Sequence, residues 1–187
     1  IYVETIAHPR EYLHQYAYNS AVAIIDNITK IIQQIGYQIK KHTDVSGQPF
    51  VFIPVDVIAD MASDVVEGKY NLDEDIFIYR HHSMVGDLVG KADILARMEK
   101  YVEGEIEPNV KGVQQFTKIL DNVGFMANKL DIRHAPKAEK KPIVEKLKKE
   151  GKLEVWYDNL YRQIISVIIL YDCFTKQKDV DELKKLV

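Results

Sequence analysis

The segment "LEVWYDNLYRQIISVIILYDCFTK", residues 153–176, decides the fold class. Its middle is apolar on nearly every side of a helix, so neighbouring segments must cover most of its surface. We therefore expect it at the centre of a helical bundle or in a dimer interface. Asp172 interrupts its longest apolar run, which falls short of the roughly 18 residues that a membrane span needs.

Helical periodicity continues on the N-terminal side of this segment. Apolar residues recur there at steps of three and four, the spacing of a helix that buries one stripe. Short loops join the periodic segments, and chains of this kind form antiparallel bundles. We predict an all-α fold, an antiparallel bundle of about five to six helices. The predicted helices cover residues 9–41, 55–68, 84–106, 109–131, 143–151 and 153–176.

Three end signals support these boundaries. Pro9 suits a first helical turn, Ser83 suits the N-cap of the third helix, and Asp179 suits the cap of a terminal turn or two. The first predicted helix has one apolar stripe that we expect to face inward. Its members are Leu13, Tyr16, Ser20, Ile24, Ile28, Ile31, Ile35 and Ile39.

Two short apolar runs lean toward β-structure. These are "FVFI" at 50–53 and "IFIY" at 76–79. Each is too brief to found a large sheet, but the two could pair. A minor β-hairpin between 50–53 and 76–79 therefore stays open beside the helical prediction.

Composition bounds the class of protein. The 187 residues suffice for one domain with a sizeable core, so we predict a single domain over residues 1–187. The net charge of −3 gives no global positive field, which argues against a dedicated DNA-binding protein. The first residue is Ile1 rather than Met, which leaves open that the sequence is a fragment of a longer chain.

The single cysteine, Cys173, excludes an internal disulfide and fits a reducing cytoplasm. Because it lies in a strongly apolar run, we expect a buried, inert thiol rather than a nucleophile. The sequence has no recognisable signal peptide, so we expect a cytoplasmic protein without a membrane segment.

Charge is spread unevenly along the chain. Seven acidic residues lie between 56 and 75, and seven lysines lie between 137 and 152. The basic segment could meet RNA phosphates or an acidic protein partner. Alternatively it is a solvated face, complemented by the acidic stretch of the same chain. The lysines that we single out for binding are Lys137, Lys140, Lys141, Lys148 and Lys149.

Motifs for metals, nucleotides and nucleophilic catalysis are missing from the sequence. The adjacent pair His81 and His82 would diverge by about 100° on a helix and could not share a metal easily. Neither a phosphate loop, a Rossmann glycine fingerprint nor a G-x-S-x-G turn occurs. We therefore predict no metal and no cofactor.

Arg133 and His134 form the pair with the most chemical potential. A guanidinium can bind phosphate, and an imidazole can move a proton, which is sufficient for RNA cleavage by the 2′-hydroxyl. The structural alternative is that both side chains complement the free carbonyls at a helix C-terminus.

The arrangement "VGDLVGKADILARMEKYVEGEIEP", then "ILDNVGFMANKLDIRHAP", then a long apolar helix, resembles helical domains of the HEPN class (higher eukaryotes and prokaryotes nucleotide-binding). The resemblance covers about residues 84–175. It implies a dimeric protein of phage-defence or toxin–antitoxin type, often a ribonuclease. It carries Arg133 and His134 over as catalytic residues, with Asn128 upstream as a binding residue.

The spacing of that pair departs from the ribonuclease members of the class, which separate Arg and His by about four to six residues. Our first hypothesis is therefore a non-catalytic helical module that forms a homodimer through the apolar C-terminal helix and binds RNA or an acidic protein. The second is a metal-independent RNase that uses Arg133 and His134. The third is a small-ligand sensor that holds its ligand among aromatic side chains of the bundle, although their helix-spaced positions favour a place in the core. These are Tyr12, Tyr16, Trp156, Tyr157 and Tyr161.

Overall fold

The computed structural model describes residues 9–34, 36–41, 50–69, 71–133 and 142–186. These residues form seven α-helices and one two-stranded sheet, which confirms the predicted all-α class with a minor hairpin. The chain divides into two compact units, Ile1–Val55 and Asp56–Val187. The single domain predicted from the sequence stays a prediction.

The first unit contains one helix and the sheet. Helix α1 spans Pro9–Gln34, strand β1 spans Tyr37–Lys41, and strand β2 spans Phe50–Pro54. The helix ends because Gly36 adopts a positive φ of 79°, a conformation that glycine reaches without steric cost. The prediction that this helix continues to residue 41 is therefore wrong for its last turns.

The predicted hairpin has a different second strand. β2 pairs with β1 in antiparallel register, with Tyr37 opposite Pro54 and Lys41 opposite Phe50. Residues 76–79 lie instead in helix α3, which spans Leu72–Arg80. Three acidic residues in the first turn of α3 favour that helix, because negative charge complements the N-terminal end of its dipole.

The apolar stripe of α1 is exposed rather than packed inward. Tyr16, Ile24, Ile28 and Ile31 keep between 49% and 68% of their surface accessible. The prediction for these side chains was wrong because the described residues of the first unit offer a two-stranded hairpin beside a 26-residue helix. A sheet of that size cannot cover a helix of that length.

The second unit holds the remaining helices. Their bounds are Val57–Val65 (α2), Leu72–Arg80 (α3), Leu88–Tyr101 (α4), Gln114–Lys129 (α5), Pro142–Lys149 (α6) and Leu153–Lys184 (α7). The N-cap of α4 is Asp87, whose carboxylate accepts a hydrogen bond of 2.9 Å from the Gly90 N–H. Ser83 was therefore the wrong cap, because it lies in a separate 3-10 turn, His82–Met84.

The chain after α4 changes its helical pitch twice. A π-helical turn covers Val102–Ile106, and a 3-10 turn covers Glu107–Val110. α5 then begins only at Gln114, so the prediction of a helix from residue 109 was early by five residues. Pro108 lies in the first turn of the 3-10 segment. A proline is tolerated there because the backbone N–H that it lacks would have no partner within the helix.

Helix α7 forms the centre of the second unit, as the opening segment predicted. It packs against α2, α4 and α5, and its residues Leu160, Ile164 and Ile168 are almost completely buried. α7 continues to Lys184, so Asp179 is an interior helical residue and not a cap. None of the described helices combines the length and the apolar character that crossing a membrane requires.

Cys173 lies in the C-terminal half of α7, and its side chain is exposed. The prediction of a buried thiol was wrong because the apolar run around it does not continue on all sides of the helix. Phe174, the next residue, turns toward the core and meets the ring of Phe116 edge to face.

Candidate functional site

Arg133 lies just beyond the C-terminal end of α5. Asp131 adopts a left-handed conformation with φ of 62°, which turns the chain out of the helix. The Ile132 N–H then donates a 2.9 Å hydrogen bond back to the Ala127 carbonyl. This closure satisfies a carbonyl of the last turn and leaves Arg133 to point elsewhere.

The side chain of Arg133 reaches across to two carboxylates. Its Nε lies 2.8 Å from Oε1 of Glu99 on α4, and one terminal nitrogen lies 3.3 Å from Oε1 of Glu103 in the π-helical turn. Glu99 is buried and Glu103 is half exposed. The guanidinium therefore joins the end of α5 to α4, and its charge is neutralised within the chain.

Burial raises the pKa of Glu99 above its ordinary value of 4.5. The positive charge of Arg133 opposes this shift, and the nearby carboxylate of Glu103 adds to it. Because both acids compete for one guanidinium, Arg133 is held by more negative charge than it carries. The arrangement is that of a structural anchor, since a phosphate entering the site would meet two carboxylates.

The other predicted site residues divide into two groups. Asn128 is a half-buried residue of α5, and Lys148 and Lys149 are exposed in the last turn of α6. The remaining residues lie outside the described part of the chain. These are His134, Lys137, Lys140 and Lys141.

The lysines of α6 differ in their ionic partners. Lys146 lies 3.9 Å from the Glu150 carboxylate, and Lys152 lies 2.9 Å from it. Lys148 and Lys149 make no ion pair with any residue that the structure describes. Two cationic side chains of α6 are thus available at the surface.

A second ionic cluster was missed by the sequence analysis. The ammonium of Lys91, a buried residue of α4, lies 2.7 Å from the Asp158 carboxylate and 2.8 Å from the Glu154 carboxylate, both on α7. Burial alone would lower the pKa of Lys91, but its hydrogen bonds to Asp158 and Glu154 outweigh burial and raise it. Lys91 is therefore a protonated cross-link between α4 and α7, not a nucleophile.

Tyr79 extends this cluster to α3. Its hydroxyl donates a 3.0 Å hydrogen bond to Asp158, and its ring stacks on Tyr161 with 4.3 Å between centroids. Burial and the adjacent Asp158 carboxylate raise the pKa of Tyr79. The phenol stays protonated and serves as a hydrogen-bond donor.

The sequence does contain a signal for this cluster. Lys91 falls on the apolar stripe of its helix, three and four residues from Leu88 and Leu95. Glu154 and Asp158 are four residues apart and so lie on one face of α7. A lysine on a core-facing stripe together with two acids on the central helix indicates a buried ion pair.

Two arginines partly neutralise the acidic stretch at 56–75. Arg97 binds the buried Asp75 carboxylate with two hydrogen bonds, of 2.8 and 2.5 Å. Arg80 binds Asp60 at 3.1 Å. These pairs hold α3 to α4 and to α2, so these acids have structural partners within their own unit.

A cavity of about 510 Å³ opens beside the π-helical turn. None of the described side chains of the sensor hypothesis lines it, and the Tyr12 side chain lies outside what the structure describes. Tyr157 and Tyr161 are buried in the core, whereas Tyr16 and Trp156 are exposed. No observation therefore favours a small ligand among these aromatics. The lining residues are Leu72, Arg97, Lys100, Tyr101, Gly104 and Glu105.

Among the residues described by the structure, no group of three or more histidine, cysteine or acidic side chains could hold a metal ion. Comparison of the chain with protein-family models, with curated proteins and with solved structures gives no match. The resemblance to the HEPN class thus stays a prediction.

Proposed function

We propose that this chain is a non-catalytic helical interaction module that binds an acidic partner through α6. The observation that carries the proposal is the state of Lys148 and Lys149, which are exposed and have no ionic partner among the described residues. The arginines of the second unit that the structure places in ion pairs, in contrast, all bind carboxylates inside it. Unpaired surface lysines are free to meet anions without breaking the fold.

The position of Arg133 supports a non-catalytic role. To bind a phosphate, its guanidinium would have to leave Glu99 and Glu103, and Glu99 would then remain buried without a counter-charge. The alternative of a metal-independent RNase at Arg133 and His134 requires that rearrangement, whereas binding through α6 requires none.

RNA is the first partner that we propose. Its phosphates are regularly spaced anions, and neighbouring lysines can contact them without base readout. The HEPN resemblance, with its phage-defence and toxin–antitoxin systems, points to the same class of partner. An acidic protein is the second partner, because carboxylates can pair with the same two lysines.

The test is fluorescence anisotropy of labelled single-stranded RNA, titrated at several salt concentrations in EDTA. The test variant is Lys148→Gln/Lys149→Gln, and the matched control is Lys111→Gln/Lys118→Gln, which removes two exposed lysines elsewhere in the second unit. We expect the test variant to bind more weakly, with its salt slope reduced by about 1.4 for two lost phosphate contacts. Equal affinity and slope for both variants would contradict the proposal for RNA.

A parallel titration with an acidic peptide separates the two partners. If the peptide binds and the RNA does not, with the loss confined to the test variant, the partner is an acidic protein. If neither anion binds the wild type, α6 is a solvated face and the proposed function is wrong.

A further inference from the structure

The C-terminal half of α7 carries a row of mainly apolar side chains on its exposed side. The row runs at alternating steps of four and three residues, a heptad spacing. Val180 and Leu183 keep 45% and 63% of their surface accessible, and Cys173 is also exposed. We name this set the α7 row, and its members are Cys173, Lys176, Val180 and Leu183.

The α7 row faces away from the core of the second unit. Phe174 points inward and contacts Phe116, with 5.6 Å between the ring centroids. Leu183 follows Phe174 by nine residues, and at about 100° per residue it lies on the opposite side of the helix. The second unit leaves Val180 and Leu183 exposed, although large apolar side chains favour burial.

We propose that the α7 row binds the α7 row of a second copy of this chain, as a parallel two-stranded coiled coil. A heptad row is self-complementary, because two identical rows can interdigitate along a two-fold axis. This inference is independent of the acidic partner of α6, since it concerns a different helix and a different surface.

The charges beside the row select the parallel orientation. Asp172 and Asp179 flank it on one side, and Gln177 and Lys184 flank it on the other. In a parallel pair each flanking residue faces the residue five positions further on in the second copy, so Asp179 meets Lys184 and Asp172 meets Gln177. An antiparallel pair would bring each flank against itself and would place aspartates near aspartates.

The ion pairs that these charged residues form within α7 are compatible with the pairing of two α7 rows. Lys184 lies 3.0 Å from Asp181, and Lys176 lies 2.6 Å from Asp172, each within one helix and at the surface. Exposed pairs of this kind exchange partners at little cost. Lys176 can extend its ammonium along Asp172 to water while its aliphatic stem stays in the row.

The parallel orientation has a covalent readout. It places Cys173 of one copy directly opposite Cys173 of the other. Because Cys173 is the single cysteine of the sequence, a disulfide between two copies must join these two residues. Under mild oxidation by diamide, the two thiols give up two protons and two electrons to the reagent and form one disulfide. We expect a disulfide-linked dimer, sensitive to reductant, in native protein and none in urea.

Analytical ultracentrifugation of the reduced chain over a concentration series tests the association itself. We expect a monomer–dimer equilibrium for the wild type, its loss in Val180→Glu/Leu183→Glu, and its retention in Lys185→Glu, which changes an exposed neighbour off the row. Far-UV circular dichroism confirms that each variant is folded. A wild type that stays monomeric at every concentration would overturn the proposal.

A charge exchange tests the orientation. Asp179→Lys brings two lysines together in a parallel pair and should weaken the dimer, and adding Lys184→Asp should restore it. A dimer that Asp179→Lys strengthens, or one that diamide cannot cross-link, would be antiparallel or formed elsewhere, and either result overturns the inference. None of these results bears on the binding of acidic partners by α6, which the RNA and peptide titrations test separately.

Discussion

Nε of Arg133 lies 2.8 Å from Oε1 of Glu99, and the Glu99 carboxylate is buried inside the second unit. The pair connects the chain after α5 with the last turn of α4, although the two residues are far apart in the sequence. Arg133, one of the two residues of the catalytic hypothesis, therefore has a structural role in this ion pair. The structure therefore predicts whether a substitution of either residue raises or lowers the free energy of unfolding.

Arg133→Ala should destabilise the second unit by about 3 kcal/mol, because it leaves the Glu99 carboxylate buried without its counter-charge. The free energy of unfolding in urea measures this effect. Lys129→Ala is the matched control, since Lys129 is an exposed cation in the last turn of α5. We expect the control to stay within about 0.5 kcal/mol of the wild type.

The double variant Glu99→Gln/Arg133→Met should recover part of that loss, because the buried charge is removed together with its partner. Recovery identifies the unpaired carboxylate as the cause. If the double variant is less stable than the sum of both single changes, the pair is not the reason for the destabilisation.

Glu99 should also give stability a particular dependence on pH. Burial raises its pKa in the folded chain above the ordinary 4.5, so the folded state keeps the Glu99 proton to a higher pH than the unfolded state. The contribution of this proton to stability is full below 4.5 and is lost as the pH rises through the folded pKa.

The measurement is the urea unfolding free energy of the wild type and Glu99→Gln from about pH 4 to pH 7. We expect the wild-type value minus the variant value to fall as the pH rises. A difference that is constant over this range, or that grows with pH, would show that burial does not raise the pKa of Glu99.

The Lys91 cluster predicts an asymmetric response to substitution. Its ammonium is buried, whereas Glu154 and Asp158 keep 29% and 38% of their side chains accessible. Glu154→Ala/Asp158→Ala leaves a buried cation unpaired and should cost about 3 kcal/mol, while Lys91→Met leaves carboxylates that water can reach and should cost about 1 kcal/mol. Urea unfolding of both variants checks the order, and equal costs would contradict it.

The central helix was predictable because burial on all sides leaves a signature in a single segment. Residues 153–176 are too apolar for a one-sided helix, and the structure places α7 between α2, α4 and α5. The end of α1 was harder to predict. The apolar spacing of three and four residues continues through Ile39, but the positive φ of Gly36 ends the helix. Apolar periodicity carries no information about the backbone conformation of a glycine.

The candidate site was less accessible from the sequence. The Arg133 position was found because a charged pair at a helix end is visible as a motif. Its partner Glu99 was not, because an acid inside a helix looks like a surface residue until the fold buries it. The same reason hid Lys91, and long-range pairing of this kind depends on how the helices pack.

The most direct test of the non-catalytic proposal is RNA integrity. End-labelled single-stranded RNA is incubated with saturating protein in EDTA, and the wild type and His134→Ala are compared on a denaturing gel. We predict that both leave the RNA at full length, while a native gel shows the wild type bound to it. Cleavage by the wild type that disappears in His134→Ala would contradict the account and would make Arg133 and His134 an active site.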